Sequence, residues 1–238
     1  MCIRDSLVPQ AGGTIDALLP NGQELPGWPV HTKAMPYHAS EAAFASKAVT
    51  DIPRGEIIGG VAVGDLADAS GTNLDVVATD TMGYAYAWDS QGRLLPGWPV
   101  RTNPAFSEPS ARNPANRLLP GIWSAPSLGS LQGNGQLDVI ASSLDRHVYA
   151  WQPNGDAVPG WPVLVVDPSE VQSVDPITNQ ITFDPNSNVE IGSELVDTPA
   201  IGVLTGKRPD VIVGADEEYG GSPDANLGGA SILSLIHI

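Results

Sequence analysis

The side chains best equipped for chemistry here are carboxylates, and they come in bunches. Between residues 164 and 194 stand Asp167, Glu170, Asp175, Asp184, Glu190 and Glu194, with no lysine or arginine among them. The stretch 215–229 adds Asp216, Glu217, Glu218 and Asp224. Such a surface can attract a cation or a basic partner, and it can equally be the solvated skin of an acidic protein. Other chemistries have less behind them. The sequence contains no GxSxG, HExxH, phosphate-loop or dinucleotide fingerprint. His31, His38 and His147 lack the spacing of metal ligands, and His147 reads as a packed strand residue. No catalytic residue and no cofactor are expected of this stretch itself.

Charge and composition narrow the partners. The net charge is −16, and Lys33, Lys47 and Lys207 are the only lysines. A binder of nucleic-acid phosphates needs clustered lysine and arginine, which argues against nucleic acid; a protein or glycan partner is what the long-loop face and the resemblance described below lead to. No apolar run is long enough for a membrane-spanning helix. The two ends, MCIRDS (1–6) and LSLIHI (233–238), read as translations of the two strands of a transposon sequencing adapter. They are set aside, and with them Cys2, so residues 7–232 carry the analysis. Gly 26 and Pro 22 are high counts, which suits short strands joined by turns.

What must position any site is a repeat. LDVVATDTMGYAYAWDSQGRLLPGWPV (74–100) aligns without a gap with LDVIASSLDRHVYAWQPNGDAVPGWPV (137–163). A third copy, GTIDALLPNGQELPGWPV (13–30), matches only the back half, and PAIGVLTGKRPDVIVGAD (199–216) matches only the front. Repetition at this period points to a propeller, solenoid or array. Each full copy divides into four strands: GVAVGDL, LDVVAT, YAYAW and the stretch holding PGWPV. Tyr84, Tyr86 and Trp88 fall on one face of the third strand, and Ala85 and Ala87 on the other. The fold expected is therefore all-β, an incomplete β-propeller of four-stranded antiparallel blades, with two full blades and two partial ones. Its parts are 13–30, 56–100, 121–163 and 194–232. A β-sandwich is the alternative, but it gives no reason for the repetition.

The motif LPGWPV, at 25–30 and 95–100 and as VPGWPV at 158–163, then has a place. Proline removes a donor and fixes φ, so the motif suits the outer edge strand of a blade. Trp28, Trp98 and Trp161 are expected to cover the seams between blades, and Trp88 and Trp151 to pack structurally as well. In an up-and-down blade the second connection and the link to the next blade share one end. The long segments 31–59, 101–121, 164–194 and 216–230 are all of these two kinds, so one face is expected to carry them. That face is the expected ligand face. Segment 101–121 differs from the acidic ones in carrying Arg101, Arg112 and Arg117, and 40–49 suggests a short helix with Ser40 as its N-cap.

The pattern GVAVGDL, LDVVATD, GYAYAWDSQGRLLPGWPV resembles the FG-GAP/VCBS-type repeats of integrin-α-like propellers in their bacterial secreted or surface form. The resemblance implies a ring of about seven blades, an extracellular or cell-surface location, and use in adhesion or ligand display. Many such repeats also carry a calcium loop between the first and second strands. Here the loop 64–75 offers Asp65, Asp68 and Asp75 at altered spacing, and 129–138 has one carboxylate, Asp138. The loop 202–210 has Lys207 and Arg208 where a cation would sit. Calcium at Asp65, Asp68 and Asp75 is one reading; plain turns, with Asp75, Asp138 and Asp210 bonding loop amides, are the other. The blades also resemble those of quinoprotein dehydrogenases, but Trp98 stands six residues after Gly92 rather than four. A propeller belonging to a secreted polysaccharide lyase or hydrolase is the remaining enzyme reading.

Overall fold

β-branched and aromatic runs bounded by Gly, Asn, Asp and Pro become strands throughout. The computed structural model describes residues 6–35, 53–66, 73–106, 109–110, 113–117, 121–166, 168–177, 179–185, 189–204, 208–219 and 230–237. In the first blade these form β1 (Ser6–Gln10), β2 (Thr14–Leu18) and β3 (Val30–His31). The second blade holds β4 (Ala62–Gly64), β5 (Asp75–Thr79), β6 (Tyr84–Trp88) and β7 (Val100–Arg101). A small hairpin, β8 (Pro109–Ser110) and β9 (Asn113–Arg117), lies in the link to the third blade. That blade comprises β10 (Ser127–Gly129), β11 (Asp138–Ser142), β12 (His147–Trp151) and β13 (Val163–Leu164). Next come the hairpin β14 (Val171–Val174) and β15 (Ile181–Phe183), and β16 (Val189–Glu194). The fourth blade has β17 (Ala200–Gly202) and β18 (Asp210–Tyr219), followed by β19 (Ala230–His237), most of which is the adapter-like tail set aside above.

Every pairing is antiparallel, and each blade pairs its strands in chain order, with β16 added beside β18 in the fourth. The chain is thus an incomplete β-propeller with two full four-stranded blades and a partial one on either side. The innermost strands run close together. A Cβ at Gly64 would meet the side chain of Leu128, and one at Gly129 that of Ile201, so β4, β10 and β17 line up around a common centre.

Strand periodicity builds the core. Val77, Ala85 and Ala87 face the third blade and pack with Val139, Ala141, Tyr149 and Trp151. Val76, Ala78, Tyr86 and Trp88 face the first blade and pack with Ile15, Ala17, Trp28 and Val30. The third blade repeats the scheme toward the fourth, where Ile140, Val148 and Ala150 meet Val211, Val213 and Ala215. The first and second blades therefore offer a small-residue face to the aromatic face of the next, whereas the third meets an aliphatic face on the fourth. Both faces of β5 and β11 are covered, and all their residues are buried. Each buried aliphatic side chain contributes about 1.5–3 kcal/mol.

Four expectations change. The first blade extends beyond 13–30, because β1 pairs with β2 from Ser6↔Leu18 to Gln10↔Thr14. Pro9 hides this strand in the sequence, yet an edge strand tolerates it. PGWP is not itself the outer strand: β3, β7 and β13 begin only after it. Gly27, Gly97 and Gly160 take φ of 90°, 88° and 90°, which makes the motif a bend that delivers the chain into the edge strand. The following Trp–Pro peptides are all cis. The links are not devoid of regular structure, since they hold β8–β9, β14–β15, β16 and two 3-10 turns, Pro104–Phe106 and Pro168–Glu170. Finally, β18 runs to Tyr219, so the connection following it is shorter than 216–230. β19 pairs with β18 along its length, from Asp210↔His237 to Glu217↔Ala230. The helix read over 40–49 lies outside the described residues.

Candidate functional site

The second connections, 80–83 and 143–146, meet the inter-blade links at one end of the blades. Thr81 N donates to Glu56 O at 2.9 Å and Ile122 N to Asp80 O at 3.1 Å. Thr102 N donates to Gly83 O at 2.9 Å, Leu144 N to Gly121 O at 3.0 Å, and Val165 N to Arg146 O at 2.9 Å. Chain entering and leaving each blade is therefore pinned beside these turns, and the long segments emerge there.

Within this end, the groups with the most perturbed chemistry are used as joints. Asp80 Oδ1 accepts the N–H groups of Met82 and Tyr84, both at 2.9 Å. Its Oδ2 accepts the Tyr86 hydroxyl at 2.8 Å, and that hydroxyl accepts Lys33 N–H at 2.9 Å from the link leaving the first blade. The third blade repeats the device. Tyr149 donates to Asp145 Oδ2 at 2.6 Å and accepts Asn103 N–H at 3.1 Å. All four side chains are buried. Burial raises the Asp80 carboxyl above its ordinary range, although hydrogen bonds from Tyr84, Tyr86 and Met82 pull the other way. Burial first, and then the neighbouring carboxylate, push both phenols far above their ordinary value. Perturbed groups in a cleft suggest catalysis. These are sealed and mutually satisfied, so their task is to hold neighbouring blades together.

Next to the joint lies His147, buried on β12, with Nδ1 2.7 Å from Asp145 O and Nε2 3.2 Å from Asn179 Nδ2. Its ring stacks on Phe106 at 4.6 Å between centroids. At the equivalent place in the second blade, Lys33 Nζ and the Arg101 guanidinium lie over the Tyr84 ring, 4.7 and 4.9 Å from its centre.

The repeated tryptophans act at the outer rim. Trp28 Nε1 donates to Ser90 O at 3.2 Å, and Trp98 Nε1 to Pro153 O at 2.8 Å, each reaching the outer turn of the next blade. The preceding glycines press on the same turns: a Cβ at Gly27 would sit 1.9 Å from Gln91 O, and one at Gly97 1.8 Å from Asn154 O. A groove of about 420 Å³ opens at the first of these rims, lined by Leu25, Pro26, Gly27, Ser90, Gln91 and Arg93. Trp161 is half-buried, and a Cβ at Gly160 would meet nothing within 4 Å among the described residues. Trp88 and Trp151 are buried and stack on Tyr86 and Tyr149, with centroids 5.1 and 5.4 Å apart.

The residues read as calcium ligands divide. Asp65 and Asp75 are both buried, and Asp75 Oδ2 accepts Leu66 N–H at 2.8 Å. Asp68 lies outside the described residues. Asp138 and Asp210 make the same bond, to Leu131 N at 3.0 Å and Leu204 N at 2.8 Å. In the loop 129–138, Ser130 Oγ accepts Gly135 N–H and Asn134 Oδ1 accepts Gln136 N–H, both at 3.0 Å, so its oxygens are turned inward on the loop. Calcium takes about six to eight oxygens. The described donors do not make such a set, and among the described residues no three His, Cys, Asp or Glu side chains cluster as metal ligands.

The acidic residues are spread out. Asp175 is exposed in the β14–β15 turn, where its Oδ1 accepts Ile177 N–H at 2.8 Å, and Asp184 is half-buried after β15. Glu170 ends a 3-10 turn. Asp216, Glu217 and Glu218 stand on β18, with Asp216 in register with Glu194 of β16. Asp167 and Asp224 lie outside the described residues.

Reasoning from the repeat passed over Trp123. Ile57, Ile122 and Leu195 are buried five residues before β4, β10 and β17, and the next residue is exposed in each blade: Ile58 at 52%, Trp123 at 45% and Val196 at 42%. The signal was available, since Trp123 is the one tryptophan outside the repeated positions. Its backbone is clamped, with Ile122 N bonded to Asp80 O and Ser124 O accepting Thr79 Oγ1 at 2.7 Å. The hydroxyl of the next residue, Ser124, and that of Ser142 on β11 are buried without a hydrogen-bond partner among the described residues.

No family model and no curated protein matches this chain. Solved β-propeller-like structures do. BBS1N in complex with ARL6DN is 11% identical, with TM-score 0.45, over 89% of this chain and 59% of that one. BamB from Moraxella catarrhalis is 16% identical, with TM-score 0.42, over 90% of this chain and 53% of that one. Quinohemoprotein alcohol dehydrogenase ADHIIG from Pseudomonas putida HK5 is 13% identical, with TM-score 0.45, over 95% of this chain and 38% of that one. The chain spans less than two thirds of each of these proteins.

Proposed function

We propose that this chain is part of a non-catalytic binding module of the FG-GAP/VCBS type, displayed outside the cell or on its surface. Its long-link face holds a protein or glycan partner. One observation carries the reading. The buried polar groups of that end are sealed into joints, Tyr86 on Asp80 and Tyr149 on Asp145, while Trp123 stands exposed on a clamped backbone beside them. Rigid scaffold beneath long, variable links is how binding loops are commonly mounted. The family affiliation rests on the quoted repeats. No metal is assigned a step, and a melt with and without chelator tests calcium: a midpoint raised by the ion would show that it binds, and loss of that rise in Asp75→Asn would assign it to the loop 64–75.

The test of the binding role is a screen of the purified chain against glycans and extracellular proteins. A retained partner should be lost when the links 164–194 and 220–229 are replaced by short glycine-serine connections. Binding that survives both replacements and Trp123→Ala would move the site off this face.

A further inference from the structure

The apolar step repeated on three blades has a definite setting. A Cβ at Gly59 would strike the backbone of Ser124 and Ala125, and Ser127 Oγ donates to Pro199 O, so the three lead-in segments run side by side. Ile58, Trp123 and Val196 occupy equivalent positions on them and therefore form a row across the link-bearing end. Two exposed carboxylates flank the row: Glu56, two residues before Ile58, and Asp197, directly after Val196. Exposed apolar side chains grouped in this way mark an interaction surface rather than scattered exposure.

The chemistry selects among occupants. An indole face attracts organic cations, and the planar guanidinium fits it best. Flanking carboxylates strengthen that preference, and the net charge of −16 steers cations toward the molecule. A neutral sugar could stack on the indole and donate hydroxyls to Glu56 and Asp197 but gains no charge attraction from them, and an acidic chain would be repelled. The clamped backbone at Ile122 and Ser124 means that little ordering is needed on binding. We propose that Ile58, Trp123 and Val196, flanked by Glu56 and Asp197, form the docking surface for an arginine- or lysine-rich polypeptide. This deepens the binding role of the same face and rests on it.

The test uses the whole 238-residue chain. Its six tryptophans give indole N–H signals in NMR spectra, and Trp123→Phe identifies the one that matters. Oligo-arginine, oligo-glutamate and a neutral glucan oligomer are titrated in turn. Oligo-arginine should shift the Trp123 signal ahead of the other indoles, and Trp123→Ala should weaken its binding about tenfold. Glu56→Gln with Asp197→Asn should weaken it further and flatten its salt dependence. Thermal melts establish that the variants fold, and Ile58→Ala provides a second, milder lesion that should weaken binding in the same direction. Oligo-arginine binding indifferent to Trp123→Ala overturns the proposal, because the charge alone then suffices. A glucan that moves the Trp123 signal when oligo-arginine does not also overturns it, while leaving the face as a binding site. A Trp123-dependent oligo-arginine response supports the docking surface even if the glycan and protein screen retains nothing.

Discussion

The second and third blades make the same joint from differently placed residues. In the second, the carboxylate that receives the tyrosine opens the turn, as Asp80. In the third it comes late in the turn, as Asp145, while Ser143 takes the opening place and its Oγ accepts Asp145 N–H at 3.4 Å. A shift of 63 residues carries Tyr86 to Tyr149 and Gly83 to Arg146, but it carries Asp80 to Ser143. The left-handed position is held, with φ of 79° at Gly83 and 67° at Arg146. What the repeat preserves is therefore the path of the chain and the place where an acceptor must arrive. The residue that brings the acceptor is free to move by two positions. The rims differ in another way. Gly27 and Gly97 are each engaged by an outer turn, whereas a Cβ at Gly160 would meet nothing within 4 Å among the described residues.

Breaking the rims should produce the largest effects. Trp98→Ala removes a buried indole and its bond to Pro153, and should cost about 3–5 kcal/mol in chemical denaturation. Trp161→Ala, at the half-buried copy, should cost less than half as much. A smaller lesion sharpens the same contrast. Gly97→Ala should cost roughly 2–5 kcal/mol, since its Cβ collides with the Asn154 carbonyl as well as straining the backbone. Gly160→Ala should cost only the strain, roughly 1–2 kcal/mol. If the two glycines respond alike, the close approach has no energetic role.

The two Asp–Tyr joints should be equal despite their different construction. Tyr86→Phe and Tyr149→Phe each leave a buried carboxylate and a link amide short of a partner, at a cost of about 1–3 kcal/mol. The double variant should be additive if the joints act independently. A near-zero effect at Tyr149 alone would mean that Asp145 does not replace Asp80.

Smaller effects come with pH. Burial raises the Asp138 carboxyl above its ordinary value of 3.8, although hydrogen bonds from Leu131 and Gln132 oppose it. The folded chain then keeps this proton to higher pH than the unfolded chain does. Its contribution is fully present below pH 3.8 and declines as pH rises through the folded value. Asp138→Asn should therefore gain on the wild type as pH rises across that window. Asp89 has the opposite sign. Burial works to raise it, but bonds from Arg93 and Gln91 prevail and hold it below 3.8. Asp89→Asn should lose ground as pH rises through the same range, and melting midpoints in a pH series check both slopes. The smallest effect is expected at Arg93→Ala. Its bridge to Asp89 spans 2.8 Å, but the arginine side chain is 72% exposed, so the loss should stay below about 0.5 kcal/mol.

The architecture was readable because the blade centres obey simple periodicities. YAYAW and HVYAW alternate large with small, and LDVVAT and LDVIAS are apolar enough to be covered on both faces. What escaped depended on neighbours distant in sequence. β1 was masked by Pro9, which an edge position allows. PGWP reads as an edge strand until the turn of the next blade shows what the glycine is pressed against. The Asp80 and Asp145 joints could not be found by alignment, because the carboxylate changes place between copies. Trp123 went unread because it lies outside the repeated motif, although that isolation was itself the clue. The acidic residues told least. Charge places them on the surface, but Asp216, Glu217 and Glu218 form a strand rather than a loop.

The handover of Gly97 and Trp98 to the turn at Pro153 and Asn154 has a consequence for how such a chain can change its length. Both halves of that coupling are encoded in every full copy of the repeat: one tandem duplication supplies a fresh plug together with a fresh socket. Blade number can then drift through unequal recombination without any compensating substitution at the new boundaries.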